Sequence, residues 1–236
     1  MNSSKLIIDS WLTRHLGLPA YTLKEPFSCF KASDIPSGRS FITAKVESRK
    51  HSELANLQEL GFKVITVNVQ LLCKSLPALG PIDLTNVRLA SPTDESAIRI
   101  IARESFSYDR FHADSKIPRP KADALKEQWV ANYFYGQRGD ALFVVEQESR
   151  PAGFLLAIDS KEKGFIIDLI AIDRVFQGRG LALSLISYAH KFFFNKNLGA
   201  GVTVGTQISN TRSLRLYQKY GFELSSAYYI LHLHTV

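Results

Sequence analysis

The spacing of apolar and polar side chains divides the chain into short elements of two periods. Residues 41–47 read as a strand, and residues 51–60 as a short helix, because Leu54, Leu57 and Leu60 fall at helical spacing. Gly61 closes that helix, and residues 64–72 alternate apolar with polar as a half-buried strand does. The N-terminal part is therefore expected to be a small β-α-β module, and periodicity assigns nothing to residues 1–40. Residues 76–85 (LPALGPIDLT) carry two prolines and a glycine between two periodic regions, which is linker composition. A boundary there gives an α/β module over residues 1–80 and a larger domain over residues 81–236.

In the larger part, residues 87–90 form a short strand. Ser91-Pro92-Thr93-Asp94-Glu95 then supplies a polar cap, a proline and first-turn acids for a helix running to about Phe106. Residues 109–120 (DRFHADSKIPRP) read as a loop, and residues 121–134 as a helix with Leu125, Trp129 and Tyr133 on one face. Strands follow at 141–147 and 152–159, joined by a turn around Arg150. Residues 164–173 form a longer strand whose near-continuous apolar run predicts burial on both faces. A helix over 180–194, a strand over 201–206, a helix over 210–220 and one or two closing strands over 222–234 complete the chain. The order β-α-α-β-β-β-α-β-α-β is mixed α/β, and no period of 20 to 50 residues repeats, which excludes a solenoid.

Composition narrows the class. The 236 residues are 45% hydrophobic and 22% charged, enough for one large core or a core plus a small module. No basic segment precedes a long apolar run, and no stretch nears the roughly 18 uncharged apolar residues of a membrane span. A soluble, cytoplasmic protein without a membrane partner is expected. Cys29 and Cys73 lie far apart with no CxxC, and the six histidines are scattered, so a reducing compartment fits and a metal site does not. His232 and His234 alternate on the closing strand and read as neighbours on one strand face. The net charge of +7 admits a nucleic acid, but Lys and Arg are spread rather than blocked, and an anionic small molecule explains the sign as well. Nucleic acid is not the expected partner.

The informative segment is residues 166–182 (IIDLIAIDRVFQGRGLA), where a strand leads into a glycine-bearing turn that opens a helix. Glycines let backbone approach a ligand, and the first helical N–H groups lack internal partners, so this geometry suits phosphate. Arg179 adds a charged fork for the same oxygens. The GxxxxGK[ST] spacing is absent, and a GxGxxG fingerprint needs a third glycine where Leu183 stands. Gln177-x-x-Gly180-x-Ala182 instead resembles the (Gln/Arg)-x-x-Gly-x-(Gly/Ala) loop of the GNAT superfamily of acetyltransferases. Residues 206–222 (TQISNTRSLRLYQKYGF) strengthen the resemblance, with an Asn, a helix bearing a Tyr and a closing Gly-Phe. It covers residues 87–234. Glu59-Leu60-Gly61-Phe62, Arg110-Phe111, Thr206-Gln207 and Ala227-Tyr228-Tyr229 extend it into the N-terminal module, where the chain is similar to the dTDP-fucosamine N-acetyltransferase family, which acetylates the amino group of a nucleotide-linked sugar.

The resemblance implies acetyl-CoA as cofactor. It implies that Leu169, Ile170, Ala171 and Ile172 splay from the neighbouring strand and offer backbone N–H groups to the pantetheine arm and the thioester. Gln177, Gly178, Arg179, Gly180, Leu181 and Ala182 would hold the pyrophosphate, Asn210 the cofactor arm, and Tyr217 would bind the cofactor and protonate the leaving thiolate. A phenol of ordinary pKa about 10 can donate to a thiolate in a dry site. On the acceptor side the implied residues are Thr66, Arg110 and Phe111. Thr66 stands where that family carries a glutamate that relays the amine proton, and a threonine is no carboxylate base; Asn68 and Gln70 on the same face are uncharged too. Glu104, Asp109, His112, Asp114 or water remain for that step. Arg110 is placed to pair with a sugar-nucleotide phosphate or with a surface acid. Three functions compete: a nucleotide-amino-sugar acetyltransferase of surface polysaccharide synthesis, a protein N-terminal acetyltransferase of the ribosomal type, and a coenzyme A sensor or nucleic-acid binder. The module over residues 1–80 favours the first, and a homodimer is compatible with the resemblance.

Overall fold

The computed structural model describes residues 5–75, 81–160, 164–196 and 201–236. Its first half contains β1 (Leu6–Ile8), α1 (Ser10–Leu16), β2 (Ala20–Leu23), β3 (Phe41–Glu47), α2 (His51–Glu59) and β4 (Lys63–Cys73). Then come β5 (Val87–Leu89), α3 (Glu95–Ser105), α4 (Arg110–Ala113), α5 (Arg119–Phe134), β6 (Ala141–Gln147), β7 (Arg150–Asp159) and β8 (Phe165–Ile172). The chain ends with α6 (Leu181–Lys196), β9 (Val202–Gln207), α7 (Thr211–Tyr220) and β10 (Glu223–His234). Among the described residues the ten strands form one sheet in the order β1-β2-β3-β10-β4-β9-β8-β7-β6-β5. The architecture is mixed α/β, as the element order predicts.

Several expectations need correction. Residues 1–40 hold a strand, a helix and a second strand, each too short to show a period. The supposed loop over 109–120 contains α4, capped by the Asp109 carboxylate accepting from Phe111 N–H at 3.0 Å, and the first turn of α5. Pro120 fits that first turn, where a missing N–H costs nothing. The hairpin between β6 and β7 turns at Glu148 and Ser149, both at positive φ, rather than at Arg150. Of the expected linker, residues 76–80 lie outside the described residues. The division at residue 80 stays a proposal about folding units: β10, from the second segment, pairs along both edges with β3 and β4 of the first.

β8 carries buried side chains on both faces, as its apolar run predicts, and a bulge decides which face each one takes. The β7–β8 register jumps from Leu156↔Leu169 to Ala157↔Ile167, leaving Asp168 as the extra residue. Phe165 and Ile167 therefore pack with Leu185, Ile186 and Phe193 of α6, whereas Leu169 and Ala171 pack with Ile98, Ile101 and Val130 of α3 and α5. Each fully buried aliphatic or aromatic side chain here contributes roughly 1.5–3 kcal/mol. In the N-terminal region α2 covers Ile42, Ala44, Val46 and Leu231, while α1 and the residues around α4 cover Phe41 on the opposite face.

Candidate active site

The site begins where two strands part. β8 and β9 run parallel through three pairs, ending at Ile167↔Val204. Beyond that point β8 continues to Ile172, while β9 stays paired with β4 as far as Asn68↔Gln207. The edge of β8 facing β9 thus has no ladder partner past the Asp168 bulge, and backbone groups there are left for another partner. A cavity of 570 Å³ opens in the gap. Leu169, Ile170, Ala171, Ile172, Gln177, Gly178, Gly180, Leu181, Ala182, Asn210 and Tyr217 all line it, so the sequence-predicted cofactor residues converge, with Arg179 as the exception.

The loop after β8 is built around its glycines. Gly178 and Gly180 have φ of +83° and +82°, and a Cβ at either would meet nothing within 4 Å. Glycine is thus required by the backbone, and the space beside it is open. The N–H groups from Gly178 to Ala182 donate to no other group among the described residues, which is the arrangement that binds phosphate at a helix start. Gln177 works between elements: its Nε2 donates to Ile172 O at 2.9 Å, and its Oε1 accepts from Arg212 of α7. Arg179 lies over the Phe176 ring, 5.1 Å from its centre, and 3.8 Å from Glu148, at the rim of the loop.

On α7, Asn210 caps the helix by accepting from Ser213 N–H at 3.2 Å, and its Nδ2 reaches Thr206 Oγ1 at 3.4 Å. Gly221 ends the helix at φ +93°. Tyr217, two turns in from the cap, is 3% exposed and packs its ring on Phe222 at 5.3 Å between centres. Its hydroxyl has no hydrogen-bond partner among the described residues, and burial pushes the phenol above its ordinary pKa.

Three more charged residues that the sequence did not single out together line the other end of the cavity: Asp109, Lys126 and Asp168. Lys126 is 7% exposed; its Nζ lies 5.1 Å from the ring centres of Phe106 and of Trp129 and 3.8 Å from Asp109 Oδ1. Burial pulls the Lys126 pKa down. Burial also opposes the charge of Asp109, but Lys126 and His112 outweigh it and hold that carboxyl at about 2. His112 hydrogen-bonds Asp109 through Nδ1 and Asp123 through Nε2 at 2.8 Å; against the cost of burial, these carboxylates raise its pKa. Asp168, at the bulge, accepts from Trp129 Nε1 at 2.9 Å and takes a bidentate pair from Arg138 at 2.6 Å each. An acid inside an apolar strand was the available signal for Asp168. Nothing in the sequence marks Lys126, which sits mid-helix like a solvated residue.

The acceptor-side residues lie outside this cavity. Thr66 is half-buried on β4 opposite Ile230. Two residues on, Asn68 donates from Nδ2 to Thr206 O at 3.2 Å and accepts from Gln70 Nε2 at 2.8 Å. Arg110 donates to Thr43 Oγ1 at 3.1 Å. Phe111 is 1% exposed and packs with Leu12, Phe41 and Leu125, so it anchors α4 rather than presenting a surface to a ligand.

A splayed parallel pair followed by a glycine turn and a helix, in a mixed α/β sheet, is the architecture of an acetyltransferase. Residues 101–222 match the model of the acetyltransferase (GNAT) family, and the chain belongs to that family. Among curated relatives, spore coat polysaccharide biosynthesis protein SpsD of Bacillus subtilis is 30% identical over 142 residues, covering 60% of this chain and 48% of SpsD, about half of that protein's length. The dTDP-fucosamine acetyltransferase of Escherichia coli is 27% identical over 194 residues, covering 82% of this chain and 81% of that enzyme. Among solved structures, a GCN5-related N-acetyltransferase from Sphaerobacter thermophilus has a TM-score of 0.63 at 14% identity, over 97% of this chain and 75% of that one. A functionally unknown conserved protein from Staphylococcus epidermidis has a TM-score of 0.61 at 15% identity, over 100% of this chain and 93% of that one. These two share the fold. Among the described residues no helix is long and apolar enough to cross a membrane.

Proposed function

We propose that the protein transfers an acetyl group from acetyl-CoA to the amino group of a nucleotide-linked amino sugar, in the synthesis of a surface polysaccharide. The carrying observation is the cleft between β8 and β9, with an unpaired backbone edge, a glycine cradle and Tyr217 all facing one cavity. The residues fit the coenzyme: unpartnered N–H groups at a helix start suit its pyrophosphate, and an open strand edge suits the amides of its arm. Acetyl-CoA supplies the activated thioester; the chain supplies donors and proton traffic. Backbone N–H groups of Leu169 to Ile172 stabilise the developing oxyanion, an effect worth about 3 kcal/mol per well-placed donor. Tyr217 gives its proton to the thiolate, and Asn210 fixes the start of the helix that carries it.

The acceptor end is assigned to the charged residues around Asp109, Lys126 and Asp168. Asp109, held at about 2, is a weak base, so the amine enters as its neutral form, having lost its proton to bulk solvent, and Thr66, a hydroxyl, has no part as a base. The sugar class rests on the relatives: one is named for spore coat polysaccharide biosynthesis and another as a dTDP-fucosamine acetyltransferase. Thiol release from acetyl-CoA, measured across dTDP- and UDP-linked amino sugars and N-terminal peptides, tests the reading. Turnover of at least one sugar nucleotide, with kcat/KM well above any peptide, is the expected result. Turnover confined to peptides overturns it in favour of a protein acetyltransferase.

A further inference from the structure

Arg110 and Lys45 are two neighbouring cations with no carboxylate in contact among the described residues. Thr43 and Lys45 stand two apart on β3 and so share one face of the sheet. Arg110, the first residue of α4, lies over that face, donating to Thr43 Oγ1 at 3.1 Å with its guanidinium 4.6 Å from the Phe111 ring centre. Lys45 is exposed, and its Nζ rests 4.2 Å from the ring centre of Tyr228. The nearby acids are engaged elsewhere: Asp9 caps α1 by accepting from Leu12 N–H at 2.8 Å, and Asp109 serves Phe111 N–H and His112. Partial desolvation, then the charge of Arg110, pull the Lys45 pKa down; burial pulls Arg110 down as well, with Asp9 and Asp109 opposing. Two like charges held together, with Asp9 and Asp109 acting only from a distance on Arg110, are an unfavourable arrangement that a bound anion in contact with both relieves.

The pair is also well placed. Across the sheet Lys45 is opposite Ile230, and Ile230 is opposite Thr66, about 10 Å away over two strand spacings. Tyr228 is opposite Asn68, whose amide bonds Thr206 at the wall of the main cavity. One continuous sheet face thus runs from the cations to the cleft. Arg110 further borders a separate cavity of 320 Å³, which Asp9 and Arg138 also line.

We propose that Arg110 and Lys45 form a phosphate subsite, in which the planar fork of Arg110 takes two oxygens and Lys45 acts as a point charge on a third. The ligand is a phosphate or diphosphate group, carried by the nucleotide-linked acceptor; its identity rests on the proposed function, the site itself does not. The test uses the full chain with its coenzyme site saturated by coenzyme A and inorganic pyrophosphate as probe, read by calorimetry. Lys45→Glu should raise the pyrophosphate Kd at least tenfold while leaving Tm unchanged or higher, because the introduced carboxylate gives Arg110 the acid it lacks. Arg110→Lys, which keeps charge and loses the fork, should weaken binding severalfold. Failure of the wild type to bind, unchanged Kd in both variants, or weakening only in step with a lowered Tm overturns the subsite.

Kinetics separate the two sources of the anion. A tenfold rise in acceptor KM with kcat retained in Lys45→Glu, and pyrophosphate competitive with the acceptor, mean that the phosphate belongs to the acceptor. Pyrophosphate bound through Lys45 but noncompetitive means a free phosphate compound, and the subsite stands. If no sugar nucleotide is turned over yet pyrophosphate binds through Lys45, the acceptor reading fails alone. Sugar-nucleotide turnover with neither the kinetics nor the pyrophosphate Kd changed in either variant sinks the subsite alone.

Discussion

Tyr217 is a buried phenol whose hydroxyl has no hydrogen-bond partner among the described residues, and that combination sets its testable behaviour. Burial raises its pKa, so the group stays protonated through the ordinary pH range, as a donor to a thiolate must. No loss of rate from its ionisation is expected between pH 7 and 9. Tyr217→Phe keeps the ring contact with Phe222, and we expect kcat to fall about 10²- to 10⁴-fold while the Kd for acetyl-CoA stays within about twofold. Equal losses in both, by stopped-flow and calorimetry, overturn the general-acid role. Tyr217 was legible because its spacing from Asn210 belongs to a helix whose start and stop are both written in the sequence. Lys126 was not, because its burial comes from Phe106, Phe111 and Trp129, brought together by three separate elements.

At the scale of elements, the strand-turn-helix of β8, its loop and α6 follows closely from local signals: an apolar run, two glycines and an amphipathic helix. The bulge does not. A run such as FIIDLIAI carries too few polar residues to fix which side each position faces, so the shift at Asp168 emerges only when Trp129 and Arg138 claim its carboxylate. That shift parts β8 from β9, and the glycine loop then closes the end of the gap. Gly180→Val tests the loop. A valine at φ +82° is strained by about 1–3 kcal/mol, and its side chain enters space where nothing lies within 4 Å. The protein should remain folded by circular dichroism but lose at least a hundredfold in affinity for acetyl-CoA. Unchanged affinity removes the pyrophosphate from this loop.

At the scale of the whole molecule the determining feature is β10, the last strand, inserted between β3 and β4. Local pattern shows that residues 222–234 are strand-like but cannot show which edges they join, since pairing of His232 with Thr43 spans nearly the entire chain. The insertion is locked from the other face by Asp114, whose Oδ2 accepts from His232 Nδ1 at 2.7 Å and His234 Nε2 at 2.8 Å beneath Phe41. Burial pulls the pKa of His232 down from 6.5 to about 4; Asp114 opposes the shift, and Arg110 and His234 add to it. The folded state therefore resists a proton that the unfolded chain accepts readily below 6.5. This contribution is fully present above 6.5 and is lost as pH falls toward 4, roughly 3 kcal/mol in all. The Asp114 carboxyl, held well below the usual range by the two histidines, gives up its own contribution only at more acidic pH. His112, shifted upward, has the opposite slope and favours the folded state at low pH, so only a difference between variants isolates the His232 effect. Urea unfolding of the wild type and of His232→Gln at pH 7.5 and 4.5 should show the wild type losing roughly 2–3 kcal/mol more than the variant. Equal losses mean that His232 takes up its proton without leaving the fold, and that Asp114 then holds β10 as a salt bridge instead of through a neutral imidazole.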